Sequence, residues 1–170
     1  LADIPETKTQ IKLNIASPAA SFYWWRLPAS GIGLARMEFI ITNVIKIHPM
    51  ALLKHPYIKD KEAIKIIDDM IEGFPNKKTF FVDNLARGIA SIAAPHYPHP
   101  VIVRMSDFKT NEYADLIGGR EFEPKEENPM LGFRGASRYY SDEYKEGFAM
   151  ECEAIRKVRD EIGLNNVWVM

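Results

Sequence analysis

Short apolar stretches alternate along this chain with longer segments whose apolar residues recur every three or four positions. This alternation constrains the fold more than any other feature. A strand-helix-strand order implies a parallel sheet whose crossovers pack on its faces as helices. Ile11, Leu13 and Ile15 alternate with Lys12 and Asn14, predicting a first strand that breaks at Ser17 and Pro18. The bulky run 22–27 reads as helix, Pro28, Ser30 and Gly31 as a turn, and 32–36 as a second strand.

An oversized helical excursion separates that strand from the third. It comprises 50–54 between Pro49 and Pro56, a stripe of Ile64, Ile67, Ile71 and Phe74, and a stripe of Phe81, Leu85, Ile89 and Ile92. Val101, Ile102 and Val103 form the third strand, followed by a short helix at 111–117, a charged loop at 118–128 and a fourth strand predicted at 130–134. Ser141 is read as the cap of a long helix whose buried stripe is Tyr144, Phe148, Cys152, Ile155, Val158 and Ile162, with Gly163 ending it. Residues 167–170 begin a fifth strand. Four strand-helix units and the start of a fifth match half of an eight-stranded barrel, and a doubly wound open sheet would give the same string.

Twenty-two basic residues against 23 acidic ones leave a net charge of −1. No global field therefore steers the chain to nucleic acid or to an anionic membrane, and any anion site must be local. The single Cys152 excludes an intrachain disulfide and suits a reducing cytoplasm, and no apolar run is long enough to cross a bilayer. Opening without Met and stopping inside the apolar run Trp168-Val169-Met170, residues 1–170 are expected to be one partial domain of a longer protein.

Three of the nine arginines share a position: Arg36, Arg104 and Arg134 each follow a predicted strand. In a parallel barrel the carboxyl ends of the strands share one face, so side chains from different strands can converge there on one ligand. A guanidinium suits phosphate and carboxylate because it presents paired donors and stays charged. Any one of the three could equally end a strand in a surface ion pair. Glu38 beside Arg36 and Asp107 after Arg104 could orient these arginines, or be solvated loop residues.

Other candidates carry less chemistry. Gly31-Ile32-Gly33 lacks the third glycine of a dinucleotide loop, since Arg36 stands in its place. His48, His55, His96 and His99 lack the spacing of a zinc site and are read as structural, and Cys152 as packing. Phe22, Tyr23, Trp24 and Trp25 cannot all face inward from one helix, which favours an interface.

The stretches Gly-Ile-Gly-Leu-Ala-Arg-Met-Glu-Phe at 31–39, Val-Ile-Val-Arg-Met-Ser-Asp-Phe-Lys-Thr-Asn-Glu-Tyr at 101–113 and Glu-Asn-Pro-Met-Leu-Gly-Phe-Arg-Gly at 127–135 resemble the phosphoenolpyruvate synthases (pyruvate, water dikinases) of the phosphoenolpyruvate-utilising enzymes. Similarity covers nearly the whole chain. Pyruvate phosphate dikinase and enzyme I of the sugar phosphotransferase system share related motifs, but the wording after Arg104 is that of the synthases.

The resemblance implies an α/β fold, the first half of a (β/α)8 TIM-type barrel that binds phosphoenolpyruvate. Arg36, Arg104 and Arg134 would hold the phosphoryl group and carboxylate. ATP would phosphorylate a histidine on another domain of the same parent chain, and that phosphohistidine would phosphorylate pyruvate. Mg²⁺ would bridge the substrate to acids on later strands, so neither metal ligands nor catalytic residues are expected within 1–170, and the chain alone is expected to be inactive. The nucleotide-binding and phosphohistidine domains lie outside it, and a homo-oligomer is expected. The alternative is a synthase homologue whose main role is forming a homomultimeric assembly.

Overall fold

A computed structural model describes residues 4, 5 and 7–170. Strand β1 (Leu13–Ile15) leads into helix α1 (Pro18–Trp24), and strand β2 (Ile32–Arg36) into α2 (Glu38–Ile40), which widens into a π-helical turn at Ile41–Ile45. Helices α3 (Pro49–Lys54), α4 (Lys61–Ile71) and α5 (Lys77–Ala93) form the long excursion. After strand β3 (Val101–Arg104) come α6 (Thr110–Ala114), α7 (Ala136–Tyr139) and α8 (Lys145–Arg156), then strand β4 (Val167–Val169). The four strands are parallel and adjacent in chain order.

Local chemistry sets these boundaries. Ser17 Oγ caps α1 by accepting from the Ala20 amide (3.2 Å), so this helix starts earlier than the aromatic run alone predicts. Asp60 and Asn76 cap α4 and α5 in the same way. Gly31 is obligatory at the turn into β2. Its φ is +117° and a Cβ there would lie 2.3 Å from the Pro100 carbonyl oxygen, where the Ile32 amide bonds to open the β2–β3 pair.

Val101, Val103, Ile32 and Ala35 turn one sheet face toward α5, which packs in turn on α1 and α8. The other face is open: Ile102 is half-buried and its register partner Trp168 exposed. Leu34 and Arg36 lie two apart on β2, as Ile102 and Arg104 do on β3, so both arginines continue this open face.

Three expectations are corrected. Residues 130–134 are not a strand: Pro129–Leu131 is a 3₁₀ turn, with Met130 and Leu131 exposed. Side chains take the amides a ladder would need, Met130 N–H donating to Asn128 Oδ1 (3.1 Å) and Phe133 N–H to Glu126 Oε1 (2.8 Å). The fourth strand is therefore Val167–Val169, expected as the fifth, and three strand-helix units precede it.

Ser141 does not cap the last long helix. Its hydroxyl donates back to the Arg138 carbonyl (3.0 Å), and α8 starts four residues later without a side-chain cap. The buried stripe is corrected in part: Tyr144, Ile155 and Val158 are buried as expected and Phe148 partly so, but Gly147, Met150, Glu151 and Ala154 also face inward, while Cys152 and Ile162 are exposed. An apolar-only stripe passes over Glu151, whose burial is supported by hydrogen bonds described below.

Candidate anion site at the strand ends

Arg36 and Arg104 end neighbouring strands and are register partners across the β2–β3 pair. Arg134 reaches the same place from the turn after Pro129–Leu131 rather than from a strand. All three line one cleft of about 510 Å³, together with Glu38, Asp107 and Lys109. A larger groove of about 1120 Å³ lies along α1 and α5, but its walls are mainly apolar, including Phe22, Trp25, Ala86 and Ala90.

Carboxylates hold two of the three guanidinium groups. Arg104 donates from Nη2 to Glu38 Oε1, which also accepts the Asp107 amide (3.1 Å). Glu38 thus pairs with Arg104, not with its chain neighbour Arg36. Asp107 grips Arg134 along one edge, accepting from Nε at 3.0 Å and Nη2 at 2.9 Å, and this pairing holds the Arg134 guanidinium more firmly protonated. Among the described residues Arg36 has no carboxylate within 4.0 Å. Arg104 Nε and Glu38 Oε2 are buried without a hydrogen-bond partner, so polar capacity is left over at the site.

Counting Glu112 and Asp115, four acids face four cations in this cleft. Its affinity for anions therefore depends on arrangement: two guanidiniums are fixed at one edge with donors to spare, and the third is free. The described residues do not form a metal centre. No three of their His, Cys, Asp and Glu side chains are placed to hold one metal ion, and Glu38 and Asp107 already give oxygens to arginines and an amide.

The loop after β3 is anchored from below by groups the sequence reading missed. Glu151 on α8 accepts from both the amide of Ser106 (3.1 Å) and its hydroxyl, and from Tyr144 OH (3.1 Å). Tyr139 OH donates to the Ser106 carbonyl (2.9 Å). Burial pushes Glu151 up to about 7 against the opposing pull of these donors, and burial with the nearby Glu151 charge takes Tyr139 to about 12. The signal for Glu151 was its place between Gly147 and Ile155, at helical spacing on the inward face.

Behind Arg134, the buried Arg138 donates to both oxygens of Glu123 (2.6 and 2.5 Å) and, from Nε and Nη2, to the Phe133 carbonyl. His48 completes this group. Its Nδ1 caps α3 by accepting the Met50 amide, so its Nε2 is the donor to Glu123 (2.9 Å), and burial lowers its pKa. His55 and His96 are also buried, and His99 is exposed.

A family model described as "PEP-utilising enzyme, PEP-binding domain" matches residues 2–170. The chain is 56% identical over 168 residues to the phosphoenolpyruvate synthase of Synechocystis sp., 52% over 170 residues to that of Helicobacter pylori, and 53% over 167 residues to that of Deinococcus radiodurans. These matches take in 98–100% of this chain and 20–21% of each relative, so the chain spans about a fifth of the length of the curated relatives it matches.

Proposed function

Because the chain belongs to the PEP-binding domain family of the PEP-utilising enzymes, we propose that the cleft formed by Arg36, Arg104 and Arg134 takes the phosphate and carboxylate of phosphoenolpyruvate. The chain then serves as the first part of a (β/α)8 barrel in a cytoplasmic phosphoenolpyruvate synthase. The observation that carries this reading is the meeting of three guanidiniums from separate segments in one cleft, two of them oriented by carboxylates. Strand order 1-2-3-4 without reversal supports a barrel over a doubly wound sheet, whose order reverses at a switch point. The open sheet face with Ile102 and Trp168 fits a barrel interior still to be closed.

In this reading ATP is the substrate of another domain, whose phosphohistidine delivers a phosphoryl group to pyruvate enolate in the cleft. The chain's own residues bind and orient. Arg104 and Arg134, fixed by Glu38 and Asp107, need no reorganisation as negative charge passes to the new phosphate ester, the condition under which electrostatic stabilisation is strongest. Mg²⁺, as a family cofactor, would supply charge neutralisation from ligands outside these residues.

The test is Arg104→Lys in the complete enzyme. Lysine keeps the charge but loses the planar fork, so phosphoenolpyruvate formation should fall about a hundredfold, or about 3 kcal/mol, with circular dichroism unchanged. Equal rates would remove Arg104 from the site. A second reading is favoured by the exposure of Phe22, Tyr23, Trp24 and Trp25: the α1 face packs in a homomultimer, which a monomeric sedimentation coefficient would exclude.

A further inference from the structure

We infer that Glu151 is a positioning residue for the anion site, setting the loop after β3 and through it the guanidiniums of Arg104 and Arg134. The inference deepens the phosphoenolpyruvate reading and rests on it only for the ligand's identity.

The connection runs through named bonds. Glu151 holds Ser106 by amide and hydroxyl at once, and Tyr139 holds its carbonyl, so every polar group of that residue is fixed from the α7–α8 side. The next residue, Asp107, faces the cleft. Its carboxylate grips Arg134 and its amide donates to the Glu38 oxygen that also receives Arg104. A shift of the loop at Ser106 therefore displaces both guanidiniums. Glu151 itself is fully buried and does not line the cleft, which distinguishes it from a ligand-binding residue.

A carboxyl group is required here, rather than an amide, because both of its oxygens accept with or without the proton while an amide nitrogen accepts nothing. Three donors converge on its two oxygens: the Ser106 amide, the Ser106 hydroxyl and Tyr144 OH. The Ser106 hydroxyl can give its proton to Glu151 because Tyr113 OH, 2.8 Å away, supplies a donor to the same oxygen. An amide in place of the carboxylate turns one acceptor into a donor facing donors, and the loop must yield. The titratable groups around Glu151 are Tyr113 from α6, Tyr139 from α7, Tyr144 before α8 and the more distant Glu38, with burial and Glu38 raising its pKa and the donors from Ser106 and Tyr144 lowering it.

The experiment compares wild type with Glu151→Gln, reading the ¹⁵N–¹H resonance of Arg134 Nε without ligand and then titrating phosphoenolpyruvate. Expected are a displaced Arg134 Nε resonance, faster amide exchange at Ser106 and Asp107 than elsewhere, and about tenfold weaker binding, the scale of one lost hydrogen bond to a charged group. An unmoved resonance with binding within twofold of wild type overturns the inference. If Glu151→Gln fails to fold, Ser106→Ala, which removes the hydroxyl arm from the loop side, must produce the same displacement or the inference falls. Should wild type bind no phosphoenolpyruvate, the cleft reading falls, and the Arg134 resonance with the exchange pattern alone decides whether Glu151 positions the loop.

Discussion

Replacing Glu123 by Gln strands a buried cation. The Arg138 and Glu123 side chains are each only 1% exposed, and the guanidinium carbon of Arg138 lies 4.1 Å from the ring centre of Tyr113, 4.3 Å from that of Phe133 and 5.0 Å from that of Tyr144. Water cannot replace the lost carboxylate among these rings, and the new amide nitrogen meets Arg138 donor to donor. Breaking a buried pair from one side costs about 3–5 kcal/mol. For a chain of this size that lowers Tm by about 10 °C. Removing both partners in Arg138→Met with Glu123→Met should cost only about 1–3 kcal/mol, because no charge is stranded and the losses are the pair of donors to the Phe133 carbonyl and the acceptor of the His48 Nε2–H. Urea unfolding monitored by tyrosine and tryptophan fluorescence measures both, with the midpoint moving at constant slope. A single variant within about 1 kcal/mol of wild type, or a double variant worse than the single, would refute this account of the pair.

Glu151 also predicts a pH dependence. Its carboxyl is raised in the folded state from an ordinary 4.5 to about 7, so its stabilising contribution is complete below 4.5 and is lost as pH rises through 7, by about 3 kcal/mol. Glu151→Gln should remove that slope from a stability-against-pH series, and an unchanged slope would show another group responsible. Gly31→Ala forces a Cβ to 2.3 Å from the Pro100 carbonyl oxygen at a φ of +117° and should cost about 2–4 kcal/mol, with the Ile32 amide exchanging faster; a loss under about 1 kcal/mol would mean the turn relaxes freely.

Periodicity alone determined most of the elements, because each strand and helix must bury one face and writes that face at its own spacing. β2 at 32–36, β3 from Val101 and the long excursion through α4 and α5 were legible this way. The two arginines ending β2 and β3 were legible too, since strand direction dictates that residues at carboxyl ends share an edge. What tertiary structure decided was every place where polar groups outcompete the apolar pattern. Residues 130–134 look like a strand by composition, but Asn128 and Glu126 take their amides, so Arg134 arrives on a turn and depends on Asp107 for its place. Glu151 displaced Cys152 from the inward face because three donors, contributed by Ser106 far back in the chain and by Tyr144, meet it there. Glu38 chose Arg104 over Arg36, two residues away, for a similar reason, the strand pairing bringing residues 66 positions apart into contact. Local spacing records which face is buried, whereas a charge or hydroxyl takes the partner that the packed chain brings to it, and for those side chains that partner exists only once the sheet and α8 are assembled.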